Sequence, residues 1–230
     1  MPRGPALSPL RRFSAVAAAL AAAALAGPTA RAVAQERGGT PGVFDFYVLA
    51  LSWSPTFCTL TGEQRGNPQC DAGKRLGFVV HGLWPQYDRG YPSECGAAPR
   101  SPSRIALEEA ADVFPTEGLA RHEWRRHGTC SGKDPASYFR DARRARAAVT
   151  IPDRLIRPDG DQRLAPIDIA RLFVAGNPGL RPDMMAVTCR SGRLEEVRIC
   201  FSKDLRGFTP CPEVARQNCR AGEVVVEASR

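Results

Sequence analysis

Lysine is scarce in this 230-residue chain: Lys74, Lys133 and Lys203 are the only three, so 32 − 3 = 29 of its basic residues are arginine. The formal charge of +8 and the pI near 9.4 therefore rest on guanidinium groups, a balance that suits an anionic partner. Histidine is as sparse, with only His81, His122 and His127. No two cysteines lie closer than the eight positions between Cys211 and Cys219. A Cys-x-x-Cys pair is thus absent, which excludes a zinc ribbon or a dithiol redox motif. Beyond the N-terminal segment no apolar run approaches the ~18 residues of a membrane span. There is no internal repeat, and no linker long enough to split the chain. The 21 glycines and 20 prolines argue against a long helical bundle, while 43% hydrophobic and 24% charged residues are enough to bury a core.

What is present begins with an export signal. Arg3, Arg11 and Arg12 precede an alanine-rich apolar run from Phe13 to Ala26, and Ala32-Val33-Ala34 offers a small-residue cleavage site before Gln35. Residues 1–34 are read as a cleaved signal and 35–230 as one domain. Arg11-Arg12-Phe13 fits an ordinary signal and bears a faint likeness to a twin-arginine one. Losing Arg3, Arg11, Arg12 and Arg31 lowers the net charge from +8 to 8 − 4 = +4. Eight cysteines follow, at 58, 70, 95, 130, 189, 200, 211 and 219. An even number downstream of an export signal predicts four structural disulfides, among which 105 pairings are possible.

Alternation and β-branched or aromatic residues predict a strand from Gly42 to Ser54 ending at Pro55, and a second from Leu76 into His81, stopped by Pro85. Residues 88–103 read as a Gly/Pro/Ser-rich loop. Helices are expected from the Ser103 cap to about Val113, from Leu119 through the two later histidines, from Asp134-Pro135 to about Ala148, and over Ile167 to Ala175. Met184 to Arg190 and Arg193 to Ser202 form a hairpin about Ser191-Gly192, and Glu223 to Glu227 a last strand. The expected architecture is α+β, a mostly antiparallel sheet packed with several helices in a single disulfide-stapled domain.

All three histidines sit in two short segments, His81-Gly82-Leu83-Trp84-Pro85-Gln86 and His122-Glu123-Trp124-Arg125-Arg126-His127-Gly128-Thr129-Cys130. The second has the look of a His-Glu-x-x-His zinc helix, but its histidines are five apart. At ~100° per residue that turns the second imidazole roughly 140° from the first, which disfavours zinc. The same arithmetic brings Glu123 and His127 within roughly 40° and puts Arg126 and His122 on the same arc, with Trp124 at its apolar edge and Arg125 opposite. Imidazole, carboxylate and guanidinium together suit phosphate chemistry: histidines exchange acid and base roles near neutral pH, and a guanidinium neutralises phosphoryl oxygens. A ribose 2′-hydroxyl is the obvious internal nucleophile. A helix whose His and Glu merely pair with each other is the plain alternative.

The two segments, about 40 residues apart, resemble the His-Gly-Leu-Trp-Pro and His-Glu-Trp-x-(Lys/Arg)-His-Gly-Thr-Cys active-site segments of the ribonuclease T2 family. The likeness runs roughly from Gly42 to Cys219. It implies a secreted or periplasmic α+β endoribonuclease of broad base preference that needs no metal or cofactor. RNA would be its substrate and would be cleaved through a 2′,3′-cyclic phosphate; DNA would be spared. It further implies His127 as base and His81 as acid, in an assignment open to reversal. His122 would bind phosphate, Glu123 and Arg126 would steady the phosphorane, and Trp84 and Gln86 would contact substrate. Cys95 would pair with Cys130, Cys189 with Cys219 and Cys200 with Cys211, leaving Cys58 for Cys70. Two positions depart from the family pattern: Arg126 stands where lysine is commoner, and Ala120 where an aromatic is frequent. The mature chain is expected to be a monomer without stable membrane association. The competing readings are an inactive exported RNA-binding or toxin-like protein on the same fold, and a metallohydrolase.

Overall fold

The computed structural model describes residues 36–96, 99 and 101–229, together with the isolated residues 1 and 4. The expected signal segment, 1–34, lies outside the described residues apart from those two. From residue 36 onward the described chain belongs to one compact unit, Val33–Arg230.

Its strands are β1 (Glu36–Arg37), β2 (Phe46–Trp53), β3 (Phe78–Gln86), β4 (Pro92–Ser93), β5 (Gln162–Leu164), β6 (Met185–Arg190), β7 (Arg193–Ser202) and β8 (Val224–Val226). The helices are α1 (Ser54–Phe57), α2 (Arg104–Ala110), α3 (Glu117–Arg126), α4 (Pro135–Ala147), α5 (Pro166–Gly176) and α6 (Pro212–Ala215). Six strands form one sheet in the order β3-β2-β7-β8-β5, with β6 also on β7. All its pairings are antiparallel except the short β7–β8 contact. β1 and β4 make a separate parallel pair, which places β4 inside the 88–103 stretch expected to be only loop. Among the described residues no helix is long and apolar enough to cross a membrane.

Alternation sorts the central strands onto two faces. From β2, Tyr47, Leu49, Leu51 and Trp53 enter the main core, as do Val197, Ile199 and Phe201 from β7. Helices α2 to α4 cover this core with Leu107, Trp124, Tyr138 and Phe139. Phe46, Val48, Ala186 and Cys200 instead form a smaller cluster, against which Trp84 packs. Helices α2, α3 and α4 begin on side-chain caps: Ser103 accepts from the Ala106 N–H, Thr116 from Leu119 and Asp134 from Ser137.

Several expected boundaries shift. Pro85 does not stop β3, because β3 is the edge strand and a missing N–H is tolerated there. Pro55 starts α1 instead of merely ending a strand, the first-turn position that proline favours. α2 ends at Ala110, short of Val113, and α3 starts two residues before Leu119. Four disulfides join Cys58–Cys70, Cys95–Cys130, Cys189–Cys219 and Cys200–Cys211, the same pairs that the resemblance implies.

Candidate active site

β3 delivers the first segment through a break in its ladder. Leu51 pairs with Val80 and Ala50 with Gly82, so His81 is the extra residue of a β-bulge. Strict alternation would put residues 80 and 83 on opposite faces; the bulge lets Val80 and Leu83 both enter the core. His81, Trp84 and Gln86 are left lining a cavity of about 330 Å³. Gly82 has a steric reason to be glycine: a Cβ there would lie 2.0 Å from Glu123 Oε2 and 2.2 Å from Trp84 Nε1.

The second segment closes α3. His122, Glu123 and Arg126 are helical, but His127 is not: its φ of −123° ends the helix, and a short 3₁₀ turn, Gly128–Ser131, follows. The expected arc is therefore made by three helical residues and one cap, with the His127 N–H still bonded to the Glu123 carbonyl at 2.9 Å. Trp124, expected at the edge of the arc, is fully buried, its ring 5.7 Å from that of Tyr138. Cys95–Cys130 ties the end of this segment to the loop carrying Tyr91 and Glu94. All five residues expected to carry the chemistry, His81, His122, Glu123, Arg126 and His127, line the one cavity, as do Trp84 and Gln86.

Trp84 is neither pure core nor a free stacking platform. Its ring lies 5.3 Å from both His81 and His127, and its Nε1 donates to Glu123 Oε2 at 2.7 Å. Gln86 donates to the Pro85 carbonyl. Arg126 reaches toward the exposed Glu94, at 3.9 Å, and has no closer carboxylate among the described residues.

Burial and charge pull the titratable groups apart. Burial pushes the Glu123 carboxyl up to about 7, against the charge of His81 and the Trp84 hydrogen bond. Burial, followed by the charges of Arg126, His81 and His122, holds His127 well below the ordinary histidine value, and its buried Nδ1 has no hydrogen-bond partner among the described residues. His122 is lowered too, by burial and then by Arg125 and Arg126. His81 moves the other way. Burial would lower it, but the hydrogen bond and charge of Glu196 and the charge of Glu123 prevail.

Glu196 and its neighbour Arg198 are what the sequence reading missed, together with Tyr87 and Tyr91 of the cavity wall. Glu196 Oε1 lies 2.5 Å from His81 Nδ1. The available signal was a strand carrying two charges two residues apart on one face, in register with an apolar β2. Among the described residues no group of three His, Cys, Asp or Glu side chains is placed to hold a metal ion.

Comparison with known proteins gives a consistent picture. The sequence model of the Ribonuclease T2 family matches residues 44–211. A ribonuclease of Aeromonas hydrophila is 44% identical over 117 residues, which are 51% of this chain and 52% of that protein. The chain thus spans about half the length of that relative. Ribonuclease DdI of Dictyostelium discoideum is 27% identical over 224 residues, 89% of this chain and 94% of that one. An RNase-related protein from Calystegia sepium shares the fold, with a TM-score of 0.62 at 22% identity over 81% of this chain and 98% of the other. Both histidine segments fall inside the stretch matched by the family, which runs from the residue two before β2 to Cys211, the disulfide partner of Cys200 on β7, and the chain belongs to the Ribonuclease T2 family.

Proposed function

We propose that the protein is an exported endoribonuclease that cleaves single-stranded RNA by transesterification, through a 2′,3′-cyclic phosphate and without a metal. One observation carries this reading: a single cavity holds one histidine tuned to keep its proton, His81, and one tuned to lack it, His127. A general acid and a general base are wanted in those two states, and the reverse assignment would need both rings in their disfavoured forms.

In the first step His127 takes the proton from a ribose 2′-hydroxyl as its oxygen forms a bond to phosphorus. His81 donates its proton to the departing 5′-oxygen as the P–O5′ bond breaks. Arg126 and His122 line the same cavity and would hold a phosphoryl oxygen, while Glu123, 3.7 Å from His81 Nε2, would help steady the phosphorane. Water then attacks the phosphorus of the cyclic phosphate as the P–O2′ bond breaks: His81, now neutral, takes the water's proton and His127 returns its own to the departing 2′-oxygen. Tyr87 and Tyr91 give the cavity aromatic walls, and stacking accepts any base, in keeping with broad base preference. Four disulfides and the basic, alanine-rich N-terminus support export. Purified protein incubated with RNA in EDTA should generate cyclic-phosphate ends and leave the matching deoxyribose oligonucleotide intact. Efficient cutting of the deoxyribose strand, which has no 2′-hydroxyl, would sink the mechanism.

A further inference from the structure

His81 is gripped from the side opposite Glu123. The grip comes from β7, which reaches across β2 to a residue on β3, so two strand spacings separate the partners. The residues of β2 beneath this reach are Ala50, paired with both Gly82 and Arg198, and Ser52, paired with Glu196. Both are small. Ser52 also helps, donating its hydroxyl to Glu196 Oε1 at 3.1 Å.

Every lone-pair direction of Glu196 is assigned. Oε1 faces His81 Nδ1 and Ser52 Oγ; Oε2 faces Arg198 through Nε at 2.8 Å and Nη2 at 2.7 Å. Arg198 is itself fixed, its guanidinium 5.3 Å over the Trp84 ring and its Nη1 on Gln217 Oε1 at 2.5 Å. We propose that Glu196, braced by Arg198, is a positioning residue for His81: its carboxylate accepts the Nδ1–H and thereby leaves Nε2 as the nitrogen that presents a proton to the cavity. Glu123 cannot serve this purpose, since it lies 3.7 Å from Nε2, on the working side of the ring. The assignment rests on the functional reading above for its catalytic meaning, although the pairing stands on geometry alone.

The charged groups facing His81 are Glu196 and Arg198 from β7, and His122, Glu123, Arg126 and His127 from α3 and its end. Of these, Glu196 makes the only direct hydrogen bond to the ring among the described contacts. Removing its charge while keeping its shape should lower the proton affinity of His81. His81 works protonated, so the rate falls as pH rises through its value, and Glu196→Gln must move that alkaline limb toward lower pH.

Two readouts test this. Nitrogen-15 NMR of the imidazoles follows His81 directly, and a pH profile of kcat on a dinucleotide follows its role. In the parent, above the His81 midpoint, the neutral ring should carry its proton on Nδ1; an Nε2–H tautomer overturns the proposal without any variant having to fold. In Glu196→Gln the His81 midpoint should drop by about one pH unit or more, the scale of losing an adjacent opposite charge. The alkaline limb should follow it by the same amount, with KM little changed. Glu196→Asp, which keeps the charge, should stay nearer the parent. An unmoved midpoint in the Gln variant, or an Asp variant displaced as far as Gln, makes Glu196 a packing residue. If the parent cuts no RNA, the functional reading fails while the NMR comparison still decides the pairing.

Discussion

The two faces of β2 and β7 are built from alternate residues of the same strands, yet burial does different work on each. On the helix-covered face Tyr47, Leu49, Val197 and Ile199 are wholly buried, and removing their apolar area from water stabilises the fold. On the cavity face burial moves protons. Glu123 and Glu196 are both nearly inaccessible and stand on opposite sides of one imidazole, yet burial leaves the first near 7 while the second is pulled down to about 2. Burial opposes ionisation in both; the donors decide. Glu123 has one close donor, the Trp84 N–H, whereas Glu196 is met by Ser52, His81 and two nitrogens of Arg198. The hydrogen bonds and charges of His81 and Arg198 thus outweigh burial at Glu196, whereas at Glu123 burial outweighs the charge of His81 and the Trp84 hydrogen bond.

The contrast would break most visibly at the histidines. His81→Ala or His127→Ala should each lower RNA cleavage by ~10²–10⁴-fold, the scale of losing a general acid or base. Single-turnover rates of the folded variants on a dinucleotide check this. A variant keeping a tenth of the parent rate would remove that histidine from the chemistry. On the other face the expectation inverts. Leu49→Ala should cost ~2–5 kcal/mol of stability, the usual range for a buried leucine, while the fraction still folded turns over like the parent. Loss of turnover in folded Leu49→Ala protein would show that the faces are coupled through β2.

Much of this was legible in the chain. The helix starts at Ser103 and Asp134 were marked by capping residues, and the hairpin by Ser191-Gly192, which take φ of 50° and 73° at the turn. The two histidine segments pointed to the site because they hold every histidine. What stayed hidden depends on register. That His81 is a bulge residue follows only from pairing with β2, since the sequence of β3 alone cannot show which residue its partner skips. Glu196 lies 115 residues beyond His81, and its meeting with it depends on β2 lying between β3 and β7. Tyr87 and Tyr91 sit in turns whose path is set by the Cys95–Cys130 bridge and by the Glu94 N–H bonded to the Arg126 carbonyl at 2.8 Å. Trp84 was visible as important, but its hydrogen bond to Glu123 needed the clearance that Gly82 provides.

The smallest effect sharpens the comparison at Arg126, the residue where this chain departs from the lysine commoner in its family. Its side chain is 30% exposed at the cavity, and its only carboxylate neighbour among the described ion pairs is Glu94, at 3.9 Å with 56% exposure. So loose a pairing leaves the guanidinium available to an anion, unlike Arg198, whose donors are committed to Glu196 and Gln217. A role that is purely electrostatic is met by any fixed cation, whereas a proton-donating role would fail with arginine, which stays charged at working pH. Arg126→Ala should therefore reduce turnover by ~10²–10³-fold, the scale of losing one preorganised oxyanion donor, and Arg126→Lys should remain within about tenfold of the parent. Single-turnover rates of the two variants decide the matter. An alanine variant as fast as the parent would make Arg126 a bystander at the rim, and a lysine variant as slow as alanine would show that the fork of the guanidinium, rather than its charge, holds the phosphate.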